Sequence, residues 1–188
     1  MTDTIDWSEW YDMTRGQAPS QLLMEALSYV KNTGKVLDIA GGALKDTKYL
    51  LQKGFDVTVI DKSPLLEKEA MEMKNERLHP FVTSFEDFIF PANEYILVSA
   101  MQCLSYCEPE HFSRVITDIK SSLKKNGIFC GQMYDGYDQE SKSLHRAYQT
   151  ADEAREYLKD LEIISFREEE TEEGRTKHWH IYNFIARK

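Results

Sequence analysis

The segment VLDIAGGALKDT constrains the fold of this chain more than any other stretch, because two glycines separate an apolar strand from a helix. The strand pattern runs from Val36 to Ile39 and contains one acidic residue, Asp38, near its end. Gly41 and Gly42 allow the backbone to approach a bound molecule, since no Cβ stands in the way. A strand, a glycine turn and a helix in this order recur at nucleotide-binding sites. We therefore expect a ligand at this turn.

Helical and extended patterns alternate along the rest of the chain. Apolar residues at helical spacing predict helices over 19–34, 43–54, 63–76, 108–127 and 150–160. Apolar or alternating runs predict strands over 35–40, 55–61, 79–84, 94–101, 128–134, 161–170 and 176–188. The last two strands flank the turn TEEG and should form an antiparallel hairpin.

This alternation is typical of α/β proteins, in which crossover helices connect parallel strands. We predict one domain over residues 1–188, built on a Rossmann-like doubly wound sheet of about seven strands. The sheet should be mostly parallel with a C-terminal antiparallel hairpin strand, and helices should cover both faces. Such sheets bind ligands beyond the carboxyl ends of the strands, where the strand order reverses, and the first strand usually lies at that point.

An acidic residue, Asp61, ends the strand that follows the glycine turn. A carboxylate at this position can accept hydrogen bonds from both hydroxyls of a ribose. The alternative is a structural one, in which Asp61 caps the turn before Ser63 and Pro64.

The glycine turn lacks the further glycines of the dinucleotide fingerprint G-x-G-x-x-G. Ala43 and Leu44 follow Gly42, and Asp46 would place a negative charge in the first turn of the helix, facing any pyrophosphate. A ligand with a positive centre and no phosphate fits better, which favours S-adenosylmethionine over a nicotinamide dinucleotide. Asp38 could receive its ammonium group directly or through water.

Five segments resemble the class I S-adenosylmethionine-dependent methyltransferases. VLDIAGGALKDT looks like their glycine motif, and VTVIDKSP is similar to their acidic second motif. TSFEDFIFPANEYILVSA resembles the loop and fourth strand that usually hold the adenine, and LKKNGIFCGQMYDGYD resembles the L-K-P-G-G turn and fifth strand. The ending KHWHIYNFIARK looks like the last strand of small bacterial enzymes near the tellurite-resistance methyltransferases. The resemblance covers nearly the whole chain.

The resemblance implies S-adenosylmethionine as the cofactor and in-line transfer of its methyl group to a small-molecule acceptor. Alignment of the acceptor with the S–CH₃ bond carries such a reaction, so no covalent catalytic residue is required. The implied cofactor site comprises Asp38, Ala40, Gly41, Gly42, Asp46, Asp61, Lys62, Ser84, Phe85, Glu86, Ala100 and Met101.

The sequence departs from the family pattern at four positions. Ala40 and Leu44 stand where the family has glycines, Ser84 where an acid often contacts the adenine, and Ile96 where an aspartate is usual. We expect Ala40 to be tolerated with a negative φ, and Leu44 to point away from the cofactor from inside a helical turn. The departures leave an alternative open, a degenerate protein of this fold that binds S-adenosylmethionine, S-adenosylhomocysteine or a partner without catalysis.

A general base is needed only when the acceptor keeps its proton at neutral pH. The candidates on the acceptor side are Tyr11, Tyr106, Tyr134, Tyr137 and His178, and a purely structural role is the alternative for His178. No catalytic residue is assigned among them, and the acceptor is left open. No metal site is expected.

Residues 1–18 are aromatic and acidic, and we predict that they form a lid over the cofactor. Arg15 would then pair with the cofactor carboxylate through its bidentate fork. Packing of the aromatic residues against the sheet is the alternative.

The charge and composition exclude several classes of function. A net charge of −9 argues against a nucleic-acid groove, which needs a basic surface. The acidic start lacks the pattern of a signal peptide, and the longest apolar runs are too short to span a bilayer. Three cysteines, an odd number, do not suggest a secreted disulfide framework. We predict a cytoplasmic location and leave the oligomeric state open.

Overall fold

The computed structural model describes residues 7–135, 147–173 and 177–188, with the backbone alone at 171–173 and 177–179. The helices in these ranges are α1 (Ser8–Thr14), α2 (Gln21–Leu27), α3 (Lys45–Gln52), α4 (Leu65–Met73), α5 (Pro109–Ser122) and α6 (Ala151–Leu158). The strands are β1 (Lys35–Ile39), β2 (Asp56–Asp61), β3 (Leu78–Val82), β4 (Tyr95–Ala100), β5 (Leu123–Asp135), β6 (Glu162–Glu173) and β7 (Lys177–Arg187). None of the helices in the described ranges is long and apolar enough to cross a membrane.

The seven strands form one sheet in the order β3-β2-β1-β4-β5-β7-β6. Strands β1 to β5 pair in parallel, whereas β7 is antiparallel to both of its neighbours, β5 and β6. The order reverses at β1, which lies between β2 and β4. The predicted sheet, including its antiparallel hairpin, is confirmed.

Helices pack on both faces of the sheet, as predicted, because alternate residues of the buried strands point to opposite sides. One face buries Leu37 and Ile39 against α5 and α6, with Phe112 and Leu158 among the contacts. The other face buries residues of α2, α3 and α4. Each strand at the centre of the sheet therefore reads as a continuous apolar run, as in parallel sheets covered on two sides.

The boundary between α5 and β5 differs from the prediction. Helix α5 ends at Ser122 and β5 begins at Leu123, whereas the pattern predicted a helix to Gly127. Leu123 pairs with Tyr95 of β4, and the Asn126 amide donates to the Lys188 carbonyl at 2.7 Å. These long-range backbone bonds replace the helical ones in the LKKNG segment.

The turn after β1 uses left-handed backbone conformations at residues that are not glycine. Ala40 has a φ of 55° and Leu44 a φ of 62°, so the expected negative φ at Ala40 is wrong, and Leu44 precedes α3 rather than lying inside a helical turn. The Gly41 amide donates to the Ile60 carbonyl, and the Leu44 amide donates back to the Gly41 carbonyl. A Cβ at Gly41 would lie 2.3 Å from Val59 Cγ2, so only glycine fits there.

Replacing Ala40 with glycine tests this turn. A left-handed conformation costs a non-glycine residue roughly 1–2 kcal/mol, and glycine would relieve this strain. Glycine also adds conformational freedom to the unfolded chain, which offsets about 0.4–1 kcal/mol of the gain in stability. We expect Ala40→Gly to leave the free energy of unfolding unchanged or to raise it by up to about 1.6 kcal/mol in chemical denaturation.

Ala43→Gly is the matched control, because Ala43 lies in the same turn without a positive φ. Glycine at this position should lower the free energy of unfolding by roughly 0.5–1 kcal/mol. Equal losses in the two variants would contradict a strained Ala40.

Candidate functional site

A cavity of about 490 Å³ lies at the carboxyl ends of β1, β2 and β4. Its size is within the range of small-molecule sites. The glycine turn, the residues that follow β2 and β4, and helix α1 all contribute to its walls. The ligand position predicted from the strand order therefore coincides with a cavity.

The cavity brings together most residues of the predicted cofactor site. Those that line it are Asp38, Ala40, Gly41, Gly42, Asp46, Asp61, Lys62, Ser84, Phe85, Glu86 and Met101. Ala100 does not line it, because its side chain is fully buried in the core beneath the sheet edge. Leu44 is also buried in the core and points away from the cavity, as expected.

Both oxygens of the Asp61 carboxylate accept backbone hydrogen bonds. The Gly42 amide donates to Oδ2 at 2.9 Å, and the Ser63 amide donates to Oδ1 at 2.8 Å. Asp61 therefore holds the glycine turn against the end of β2 and also caps the turn into α4. The capping role that the sequence left as an alternative is present, on a side chain that also lines the cavity.

Asp38 lies almost fully buried beneath the glycine turn. The Thr47 hydroxyl of α3 donates to its Oδ2 at 2.6 Å. Burial, followed by the negative charge of Asp46, raises the pKa of the Asp38 carboxyl from 3.8 to about 7, although the Thr47 hydrogen bond opposes the rise. The free protein therefore carries a carboxyl that titrates near neutral pH at the wall of the cavity.

Asp46, in the first turn of α3, is held by the segment that precedes α2. The Ser20 amide and hydroxyl donate to its two oxygens at 2.6 and 2.7 Å. This places a fixed carboxylate at the helix end where a dinucleotide would set its pyrophosphate. The arrangement disfavours a phosphate ligand at this position.

The loop after β3 contributes Ser84 and Glu86 to the cavity. The Ser84 hydroxyl donates to the Asp87 carboxylate at 2.9 Å, so it is already engaged within the loop. Glu86 Oε1 accepts from the Glu108 amide at 3.2 Å. Glu86 is therefore the carboxylate that this loop presents along the wall.

Arg15 does not line the cavity, which corrects its expected role. Its guanidinium donates to the Glu69 carboxylate of α4 at 2.6 Å and to the Asp12 carboxylate at 2.7 Å. These two carboxylates hold the side chain on the outside of α1. Arg15 therefore ties α1 to α4 and leaves any cofactor carboxylate to other groups.

Helix α1 and the residue before it form one wall of the cavity, through Trp7, Trp10, Tyr11 and Thr14. The Trp7 ring packs edge to face against Tyr106, with 5.0 Å between the ring centroids. The Lys62 ammonium lies 5.1 Å from the centre of the same ring. Because Lys62 follows β2 and Tyr106 follows β4, Trp7 bridges the two sides of β1 above the glycine turn.

The structure places three of the five acceptor-side candidates at the cavity, namely Tyr11, Tyr106 and Tyr134. Tyr137 and the side chain of His178 lie outside the described residues. The buried Tyr11 hydroxyl lies beside Asp61 and Ser63, and burial together with the Asp61 charge raises its pKa.

Several lining residues were missed by the candidate set, among them Lys45, Thr83, Gln102, Ser105 and Ile181. Ile181 lies on β7 opposite Tyr134 of β5, and this pairing depends on a register that the sequence pattern does not specify. The amphipathic pattern of residues 7–14 is the sequence signal that could have identified Trp10 and Thr14 as lining residues.

Residues 11–175 match a family model described as a methyltransferase domain. The chain belongs to the methyltransferase domain family. The predicted family is thereby confirmed, and with it S-adenosylmethionine-dependent methyl transfer as the activity and S-adenosylmethionine as the cofactor. No protein in a set of curated sequences matches this methyltransferase.

Solved structures with the same fold include other methyltransferases. TehB from Haemophilus influenzae has a TM-score of 0.77 at 19% identity, covering 97% of this chain and 65% of that chain. A Methanosarcina mazei S-adenosylmethionine-dependent methyltransferase has a TM-score of 0.72 at 18% identity, covering 92% and 99% of the two chains. The Burkholderia thailandensis 1,6-didemethyltoxoflavin-N1-methyltransferase has a TM-score of 0.69 at 18% identity, covering 96% of this chain and 81% of that chain. At these identities the likeness establishes the shared fold.

The raised pKa of Asp38 makes the stability of the methyltransferase depend on pH. Its stabilising contribution is fully present below pH 3.8 and is lost as the pH rises through about 7, because the folded protein keeps a proton there that the unfolded chain releases. We expect the free energy of unfolding to fall over this interval relative to Asp38→Asn, whose amide does not titrate. Melting temperatures of both proteins from about pH 4 to about pH 8 measure the difference. Parallel curves would show that Asp38 has an ordinary pKa.

Proposed function

We propose that the cavity at the end of β1 binds S-adenosylmethionine and that the enzyme transfers its methyl group to a small-molecule acceptor. The observation that carries this proposal is the convergence of Asp38, Gly42 and Asp61 on one cavity at the reversal of the strand order. The related Burkholderia enzyme, whose structure holds S-adenosylhomocysteine with the small molecule 1,6-didemethyltoxoflavin, supports a small-molecule acceptor.

The residues present fit the adenosine part of the cofactor. A carboxylate offers about four acceptor positions, and Gly42 and Ser63 occupy one on each oxygen of Asp61. The remaining positions are available to the ribose hydroxyls, one of them in competition with the neighbouring Tyr11 hydroxyl. A Cβ built on Gly42 would meet no atom within 4 Å, so a ligand has space against the bare backbone.

The residues present also fit the methionyl part. Asp38 is a buried carboxyl without a described cationic partner, and the ammonium group of the cofactor would supply one. When bound, the cofactor provides a methyl group already activated on its sulfonium. The protein then has to orient the acceptor and exclude water.

We also infer that residues 1–18 cover the bound cofactor. The support is the position of α1, which lines the cavity on one side and is tied to α4 by the Arg15–Glu69 ion pair. The Trp7 ring lies across the strand-order reversal between Lys62 and Tyr106. A helix in this place would keep water away from the methyl group.

A cytoplasmic enzyme with no nucleic-acid partner is part of the same proposal. The net charge of −9 supports the absence of a nucleic-acid surface. The three cysteines are free and buried, which suits a reducing compartment.

Substitution of Asp61 tests the ribose contact. Loss of two hydrogen bonds to a charged group, discounted to about 2–4 kcal/mol, should weaken S-adenosylhomocysteine binding to Asp61→Ala by about 30- to 1,000-fold. The same variant should also lose stability, since the Gly42 and Ser63 amides lose their acceptors. Asp61→Asn keeps one oxygen and should lose less stability while still binding the compound poorly. Calorimetry and thermal melts measure both quantities.

Asp56→Ala is the control for the Asp61 variants. Asp56 begins β2 and lies at the amino ends of the parallel strands, away from the cavity. Its carboxylate contacts His79 there at 2.6 Å on the surface. Its affinity for S-adenosylhomocysteine should equal that of the wild type. Unchanged affinity in Asp61→Asn and Asp61→Ala would remove Asp61 from the cofactor site.

Trp7→Ala tests the cover over the cavity. Removal of one aromatic contact, worth roughly 0.5–1.5 kcal/mol, should weaken S-adenosylhomocysteine binding by about 2- to 13-fold, mainly through faster dissociation. Met13→Ala serves as the control, because Met13 lies on the exposed side of the same helix. Identical dissociation rates in stopped-flow measurements of the two variants would show that α1 does not retain the ligand.

A further inference from the structure

The cavity has two chemically different sides, and the strand order separates them. Residues that end β2 or follow β2 and β3, including Asp61, Lys62 and Glu86, lie on one side of β1. Residues that belong to β5 and β7 or follow β4, including Tyr106 and Tyr134, lie on the other side. If Asp61 holds the ribose, the adenosine occupies the first side. The second side, with the aromatic face of α1, is then left for the acceptor.

The described part of the acceptor side is lined by aromatic, apolar and uncharged polar groups. Trp7 and Tyr106 form an edge-to-face pair there. Tyr134 of β5 and Ile181 of β7 are paired directly with each other and continue this wall. Stacking and edge contacts of this kind favour planar aromatic ligands.

Among the described lining residues, the charged ones belong to β1, β2, α3 and the loops after β2 and β3. The described lining residues from β4 onward are Met101, Gln102, Cys103, Ser105, Tyr106, Tyr134 and Ile181, none of which is charged. The two lysines that line the cavity, Lys45 and Lys62, belong to α3 and to the residue after β2, and the Lys62 ammonium already lies over the Trp7 ring. Neither belongs to β4, β5, β7 or the residues that follow β4.

We propose that the methyl acceptor is an uncharged aromatic or heteroaromatic small molecule, bound against the rings of Trp7, Tyr106 and Tyr134. This inference rests on the proposed function, since it takes Asp61 as the ribose site. A metalloid oxyanion or a carboxylate beside Tyr134 and Ile181 would leave water for a part of the wall on which no described lining residue is cationic, and burial of an unpaired charge is unfavourable. A protonated amine would be attracted to the rings, but it lacks the free electron pair that attack requires.

The transfer step balances without a further reactant. A heteroatom of the acceptor supplies the electron pair for the new bond to the methyl carbon, and the electrons of the broken S–C bond go to the sulfur. Any proton on the acceptor heteroatom leaves to water. An aromatic nitrogen with a free electron pair needs no general base at all.

Matched pairs of ligands test the charge preference. Benzamide and benzoate, and nicotinamide and nicotinate, differ chiefly in the charge of one substituent. Their binding to the protein saturated with S-adenosylhomocysteine is measured by calorimetry and by ligand-observed magnetic resonance, with a set of neutral heteroaromatic fragments. We expect each neutral member to bind at least about tenfold more tightly than its anionic partner, a difference of about 1.4 kcal/mol.

Tyr134→Leu should weaken binding of the neutral ligands several-fold, and its binding of S-adenosylhomocysteine verifies that the variant is folded. Tyr49→Leu is the matched control, because Tyr49 lies on α3 away from the cavity, with Lys53 over its ring. That control should bind the neutral ligands as the wild type does.

Three results would overturn the proposal. These are equal or tighter binding of the anionic members, turnover of tellurite or selenite, and absence of binding by every neutral fragment at millimolar concentration. A wild-type protein that fails to bind S-adenosylhomocysteine would instead overturn the proposed function, and this inference with it.

Discussion

The carboxylate of Asp61 is the contact on which the site depends. Through its bonds to the amides of Gly42 and Ser63, one side chain fixes the glycine turn after β1 and the turn after β2 in a single arrangement. Two loops that are far apart along the chain thereby become one wall. The carboxylate is nearly buried, so these charge-assisted hydrogen bonds are little screened by water.

The same wall concentrates negative charge where a cationic ligand would be stabilised. Asp38, Asp46 and Asp61 all reach the cavity, and each accepts hydrogen bonds from neighbouring groups of the chain. Burial, followed by the negative charge of Asp46, raises the pKa of the Asp38 carboxyl to about 7. A phosphate-bearing cofactor would meet repulsion here, whereas a sulfonium and an ammonium would meet attraction. Selectivity for the class of cofactor is therefore a matter of charge as much as of shape.

Patterns local in the sequence predicted the sheet, the position of its reversal and most of the cavity wall. The glycine turn and the acid at the end of β2 are such patterns, because the residues that make them lie within one strand–helix unit each. The errors have long-range causes. The conformation of Ala40 follows from the tertiary bond between Gly41 and Ile60, and the partner of Arg15, Glu69, lies on α4. The LKKNG segment became strand because Tyr95 and Lys188 pair with it.

The position of β7 has a consequence for how the site is made during synthesis. Strand β7 inserts between β5 and β6, so the edge of β5 that carries Tyr134 has no partner until residues 177–187 leave the ribosome. Domains generally fold as units as the chain emerges, and unpaired strand edges are prone to wrong association. The glycine turn and Asp61 can meet early, since β1, β2 and β4 precede that point. The side of the cavity that contains Asp61 therefore consists of residues synthesised before the pairing of Tyr134 with Ile181 is possible.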